Sequence, residues 1–401
     1  MLADLVAEMK ISSRILRVVD APIDALNRER IRLERLGGPI FNLGQAIPDF
    51  PPPPIVREAT IRALDDPNIH LYTPDPGLPE LREAIAGSIR ARFGAASVQA
   101  ENIVVTAGAN HAFLLVCSVL LGEGDRVGLL SPYFLNHKMA VEGCGGITVE
   151  INPDEDGRYS AESVERALVE NDLRALVVVN PSNPTGKVFS RQELQVLLDL
   201  CREHRVWLVA DEVYSSFVYP PLKMVSLASL PDAADATWTI GSFSKEFGMT
   251  GWRLGWLQAP RALVPQVLKV QDYSIICASR LAQVVAVAAL EHAPNWSMSQ
   301  LESLSARRAE LLSILAGSNL FEIFDSQGAF FVWMRPLRET DSARAVLDIM
   351  ARARVCIIPG LFFGEAWRSW FRISYGYLAL DQLRIAGQML VEYFANPVDP
   401  G

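Results

Sequence analysis

The chain has 401 residues, half of them hydrophobic and 21% charged, which is an ordinary globular composition. That length exceeds one small core and points to two domains, or one large α/β domain with an appendage. The net charge of −9, with no basic run, leaves no electrostatic footprint for nucleic acid, so the acidity mainly implies solubility.

In chain order, Asp4 and Glu8 interrupt the apolar clusters at the start. The N-terminus therefore reads as neither a signal peptide nor an Arg-rich transit peptide. The first 45 residues read as an arm or helix leading into NLGQAIPDFPPPP (42–54). Its proline run fits neither a helix nor a central strand, so it reads as a linker. Seven apolar runs follow as strand candidates, at 102–108, 126–131, 146–151, 174–180, 206–211, 237–242 and 254–259. Most are apolar throughout, as expected when helices cover both faces of a sheet. Helix patterns lie between several of them, at 160–170 and at 190–204, the second opening after the N-cap Ser190. This alternation predicts a largely parallel α/β sheet. The densest apolar run, AFLLVCSVLL (112–121), is too short to cross a bilayer and reads as a buried helix.

The last third changes character. Residues 279–316 read as helix, and short strands near 328–334, 355–360 and 370–376 alternate with helix patterns at 342–353 and 380–394, an α+β unit. The five cysteines (Cys117, Cys144, Cys201, Cys277, Cys356) are odd in number and lack CxxC spacing, as expected for reduced, mostly buried thiols of a cytosolic protein. Trp333, Trp367 and Trp370 read as core of this unit.

Four segments bring polar groups to strand ends, where ligands of parallel sheets gather. VVTAGANHAF (104–113) ends a strand at Gly108-Ala109-Asn110 and opens a helix, which reads either as a close-packed strand-to-helix turn or as a turn whose backbone N–H groups and helix dipole favour a phosphate. VVVNPSNPTGKV (177–188) is a rigid polar loop that can fix an amide against a ring oxygen. VWLVADEVY (206–214) drives Asp211 to the end of a buried strand, where a carboxylate needs a partner: a structural salt bridge, a helix N-terminus to cap, or a heterocyclic N–H⁺. GSFSKEFGMTGWRLGW (241–256) sets Lys245 among aromatic rings. Its ammonium form is disfavoured there, and its amine suits imine formation with an aldehyde. Ser242, Ser244 and Arg253 supply donors for a phosphate.

Together with IPDFPPPP, LYTPDPGLPELREAIA, SPYF and FRISYG, these segments resemble the fold-type I pyridoxal 5′-phosphate (PLP) enzymes, in particular the class I/II aminotransferases. The likeness runs in family order from about residue 40 to 376. It implies a mostly parallel central sheet with helices on both faces plus a smaller α+β domain. Boundaries follow: an arm and part of the small domain at 1–47, a large PLP-binding domain at 48–285, and a small C-terminal domain at 286–401. It also implies roles. Lys245 would hold PLP as an imine, Asp211 would pair with the ring nitrogen, and Asn183 and Tyr214 would meet the ring hydroxyl. Phe134, rather than Tyr133, would stack on the ring. Gly108, Ala109, Asn110, Ser242, Ser244 and Arg253 would hold the phosphate, with Tyr72 reaching in from a second subunit of a homodimer. Arg372 would clamp the substrate carboxylate, with Asn183 and Ala46 beside it, and Lys245, Asp211 and Tyr214 would form the catalytic set.

Ala46 and Ile47 depart from the family's usual glycine and its neighbour, and Asn110 stands where some dicarboxylate-specific relatives carry lysine. His137 and His111 read as satisfied surface histidines. The expected reaction is transamination of an α-amino acid with a 2-oxo acid, in the cytoplasm and without metal. A lyase or cyclase on the same scaffold is the alternative. A non-catalytic regulator is disfavoured by the intact Lys245, Asp211 and Arg372 and by the lack of a basic DNA-binding segment.

Overall fold

The computed structural model describes residues 11–20 and 22–396. Asp4, Glu8 and the first part of the expected arm lie outside them. A helix, Pro22–Gly37, leads to the short strand β1 (Phe41–Asn42).

The seven apolar runs then form β2 (Ile103–Thr106), β3 (Arg126–Leu130), β4 (Ile147–Ile151), β5 (Leu173–Val179), β6 (Trp207–Asp211), β7 (Thr237–Ser242) and β8 (Gly255–Gln258). They build one sheet in the order β2-β8-β7-β6-β5-β3-β4. Strands β3 to β7 pair in parallel, whereas β8 runs antiparallel to both neighbours. The link from β7 to β8 carries only the helical turn Phe243–Glu246 and the 3₁₀ turn Thr250–Trp252. That is too little chain for a packed crossover helix, so β8 must return antiparallel.

Alternate strand residues enter different cores, as the pleat requires. Val177 and Val209 pack with helices Ala109–Leu120 and Val264–Ser274 on one face. Leu176, Val178 and Leu208 pack with helices Ala161–Glu170 and Arg191–Glu203 on the other. Both faces are therefore covered, which is why these strands read as continuous apolar runs. Ser190 caps its helix as expected, its Oγ accepting from Glu193 N–H at 3.2 Å while Glu193 accepts from Ser190 N–H at 2.8 Å.

The linker reading of the proline run needs correction. Pro54 opens the helix Pro54–Leu64 with Pro53 at its N-cap. Proline is tolerated at the first helical position because that N–H has no intrahelical partner anyway.

The C-terminal third holds β9 (Phe321–Ile323), β10 (Phe331–Pro336), β11 (Val355–Cys356), β12 (Ile358–Pro359) and β13 (Phe371–Ser374). An antiparallel sheet, β12-β13-β10-β9, packs with helices Leu301–Gly317, Ser342–Arg352 and Leu380–Ala395. The arm strand β1 pairs in parallel with β11, so residues near 41 are built into this unit. Trp333 and Trp370 stack at 5.6 Å in its core, with Trp367 against both. All five cysteines are free. Among the described residues no helix is long and apolar enough to cross a membrane.

Candidate active site

The carboxyl ends of β5, β6 and β7 converge on a cavity of about 200 Å³. Its lining brings together Ala46, Ala109, Asn110, Phe134, Asn183, Asp211, Tyr214, Ser242, Ser244, Lys245 and Arg253, each of them expected from sequence. Phe134 lines it and Tyr133 does not; the Tyr133 hydroxyl donates instead to Glu150 at 3.0 Å. Tyr72 stands apart, 74% exposed on the surface of its own chain.

One end of the cavity is built for an anion. Gly108 caps the helix Ala109–Leu120 with φ of 87°, a left-handed value that favours glycine. The first-turn N–H groups of that helix have no intrahelical partner. A Cβ on Gly108 would stand 2.7 Å from Arg253 Nη2, so the guanidinium is packed against the turn itself. Arg253 Nη1 donates to Thr250 O at 2.9 Å, and Ser242 Oγ accepts from Ser244 N–H at 3.0 Å.

Lys245 is half-buried and lines the cavity. Desolvation, reinforced by the positive charges of Arg253 and Arg372, pulls its amine down to about 8, with Asp211 partly opposing. Asp211 is itself buried, its Oδ1 accepting from Val213 N–H at 3.1 Å. Its Oδ2 lies 3.1 Å from His137 Nε2.

That contact overturns the surface reading of His137. The side chain is almost fully buried, packed at a tilt of 35° on Phe113 at 4.1 Å and edge-on to Phe134 at 5.3 Å. It sits one helical turn after Phe134, and this i, i+3 spacing was the signal that could have placed it beside the ring-facing residue. His111, by contrast, is satisfied as expected. It is half-buried and bonded through both ring nitrogens.

Arg372, on β13, is not on the cavity lining but one residue behind it. It is fully buried, Nη1 donating to Asn183 Oδ1 at 2.9 Å and Nη2 to Gly44 O at 2.6 Å. With Asn183 Oδ1 thus engaged, the amide NH₂ is left to donate into the cavity. The guanidinium stands over the rings of Phe331 and Phe363, and burial lowers its pKa to about 10. Gly44 O was not foreseen, since a backbone carbonyl leaves no mark in sequence.

The family model for aminotransferase class I and II matches residues 38–386. The chain belongs to the class I and II aminotransferases. An aspartate aminotransferase of Pyrococcus abyssi is 33% identical over 84% of this chain and 87% of that protein. Aromatic-amino-acid aminotransferase 2 of Thermococcus litoralis is 33% identical over the same shares. Among solved structures, a single mutant of the Thermus thermophilus aspartate aminotransferase superposes with a TM-score of 0.89 at 31% identity, covering 96% of this chain and 99% of that one. The protein is thus an aminotransferase of fold type I, and its cofactor is PLP.

The donor set fits that cofactor. PLP needs an anion cradle, a carboxylate for its ring nitrogen, donors for its ring oxygen and an amine for its aldehyde. The cavity offers the Gly108 turn with Arg253, then Asp211, then the Asn183 amide, then Lys245.

Proposed function

We propose that this aminotransferase binds PLP and an α-amino acid at the Lys245 cavity through the residues assigned from sequence, and that its substrates carry neutral, apolar or aromatic side chains. One observation carries the site: a half-buried amine lowered to about 8 shares a cavity with a buried, hydrogen-bonded carboxylate, Asp211. When bound, PLP supplies an electron-withdrawing ring that makes loss of the substrate α-proton feasible.

The protein's part is positioning and proton handling. Lys245 Nζ, which gives up its proton more readily than an exposed lysine, would hold the aldehyde carbon and would move the proton at the substrate Cα. Asp211, held on both oxygens, keeps a proton on the ring nitrogen by a charge-assisted bond. The Asn183 amide and the Tyr214 hydroxyl meet the ring oxygen. Phe134 covers the ring face and excludes water. Gly108, Ala109, Asn110, Ser242, Ser244 and Arg253 hold the phosphate. Arg372 takes the α-carboxylate, with Ala46 bounding the space beside it.

The side-chain preference rests on charge. Among the described residues Lys245 and Arg253 are the only cations lining the cavity, and both have other work. Asn110 is neutral where a second carboxylate would need a cation. We also place the large domain at 48–285 and the small one at 286–401 with part of 1–47, a division supported by the β1–β11 pairing. A homodimer in which the exposed Tyr72 reaches the partner's phosphate site, and a cytoplasmic role in amino-acid biosynthesis, complete the reading. Borohydride reduction of the holoenzyme and peptide mapping test the site, the label being expected on the Lys245 peptide. A donor screen with mass spectrometry of the oxo-acid products tests the substrate class; preference for aspartate or glutamate would overturn it.

A further inference from the structure

His111 lies four residues after Ala107, on the first turn of the helix that follows the Gly108 cap. Its Nδ1 faces Ala107 N–H at 3.2 Å, and its Nε2 faces Ser274 Oγ at 3.3 Å. Polarity leaves one arrangement. A backbone N–H can only donate, so Nδ1 is the bare nitrogen and accepts. A neutral imidazole then carries its hydrogen on Nε2, which donates to Ser274 Oγ. Ser274 in turn spends its hydrogen on Gln271 O at 3.1 Å. The fully buried Gln271 donates through Nε2 to Val105 O at 3.2 Å, back on β2. The bonds close a ring from Val105 through Gln271, Ser274 and His111 to Ala107, bracing the last residues of β2 and the first turn of the helix against each other. Burial favours the neutral form of His111 that this ring requires.

We propose that His111 is a positioning residue for the phosphate turn: by capping Ala107 N–H it fixes the peptide that orients Gly108 and the free N–H groups of the helix toward the cofactor phosphate. This rests on the phosphate reading of that turn. Gly108 has little tolerance, wedged against Arg253 with a left-handed φ, so rotation of the preceding peptide would misaim the donors. The imidazole is not on the cavity lining; it acts through the backbone.

The test is cofactor affinity, measured by titrating PLP and, separately, pyridoxal into the cofactor-free full-length protein. Wild type should prefer PLP strongly. His111→Leu, which keeps bulk and loses the acceptor, should weaken PLP about five- to ten-fold, the worth of one hydrogen bond, and leave pyridoxal within about two-fold. His111→Asn, whose Oδ1 stands where Nδ1 does, should restore PLP affinity to within about three-fold of wild type. Unchanged PLP affinity in His111→Leu, or equal loss for both ligands, would overturn the proposal. If wild type itself did not distinguish PLP from pyridoxal, the phosphate reading of the turn would fail first, and the proposal with it.

Discussion

His137 Nε2 lies 3.1 Å from Asp211 Oδ2, and both side chains are almost fully buried. Asp211 Oδ1 is held by Val213 N–H, so the imidazole fixes the second oxygen and with it the plane of the carboxylate. The tilted contact with Phe113 and the edge contact with Phe134 set the imidazole's own position. A hydrogen bond to a charged group is worth about 1.5–3 kcal/mol, and its loss in a buried site leaves Asp211 less well held. His137→Leu should therefore lower kcat/KM by roughly ten- to a hundred-fold while the protein still takes up PLP. Steady-state kinetics beside a cofactor titration check this. An unchanged kcat/KM would mean that Val213 N–H alone is enough to hold the carboxylate.

Gly108→Ala should weaken PLP binding by an order of magnitude or more. The new methyl would meet Arg253 Nη2 at 2.7 Å, and φ of 87° is strained for any L residue. Either the guanidinium retreats from the phosphate position or the turn opens, at about 1–3 kcal/mol. Retention of wild-type affinity would show that the turn is not the cradle.

The large sheet was legible because its strands are apolar on both faces, so the runs at 174–180 and 206–211 could serve only a covered parallel sheet. Lys245, Asp211 and Arg253 were legible for the opposite reason: ionisable groups stand out in apolar or small-residue segments. The partners that hold them were not. Gly44 O and Ala107 N–H are backbone groups present at every position, and His137 and His111 differ from surface histidines only in what the fold packs on them. Pro54 was misread because a proline run looks alike as a linker and as the start of a helix. Tyr72, exposed on its own chain, has no function legible from one chain's packing.

Glu212 is buried beside Asp211 and accepts from Leu227 N–H at 2.7 Å, and burial pushes its carboxyl up to about 7. A raised carboxylate pKa means the folded state holds a proton that the unfolded state has lost between about 4.5 and 7. Stability contributed by this group is thus present at low pH and falls as pH rises through that window. Glu212→Gln keeps an acceptor for Leu227 and cannot ionise. At pH 8 the variant should be more stable than wild type by roughly 1–3 kcal/mol, with the gap closing toward pH 5. Urea unfolding of the cofactor-free proteins at the two pH values measures it; a gap that does not change with pH would mean that Glu212 ionises as freely folded as unfolded.

Lys245 gives the last prediction. Its amine is lowered to about 8 first by burial and then by Arg253 and Arg372. Only the neutral amine attacks an aldehyde, so the rate of covalent PLP capture by the cofactor-free protein should rise with pH and level off above about 8, well below the range of an exposed lysine. Arg253→Met removes one of the repelling charges, so the midpoint should move upward, and the capture rate at pH 7 should fall beyond what weaker phosphate binding explains. Using pyridoxal, which carries no phosphate, isolates the charge effect: the upward displacement should persist with it. Stopped-flow absorbance across pH 6 to 10 gives both midpoints. The folded-state stability carries the same sign, since a lowered lysine pKa means the unfolded chain binds the extra proton between about 8 and 10.5, and the cofactor-free protein should gain stability as pH rises through that window. Lys245→Met, which cannot bind that proton, should lose this gain, and a wild-type capture midpoint near 10 would show that the amine is no better prepared than a lysine in solvent.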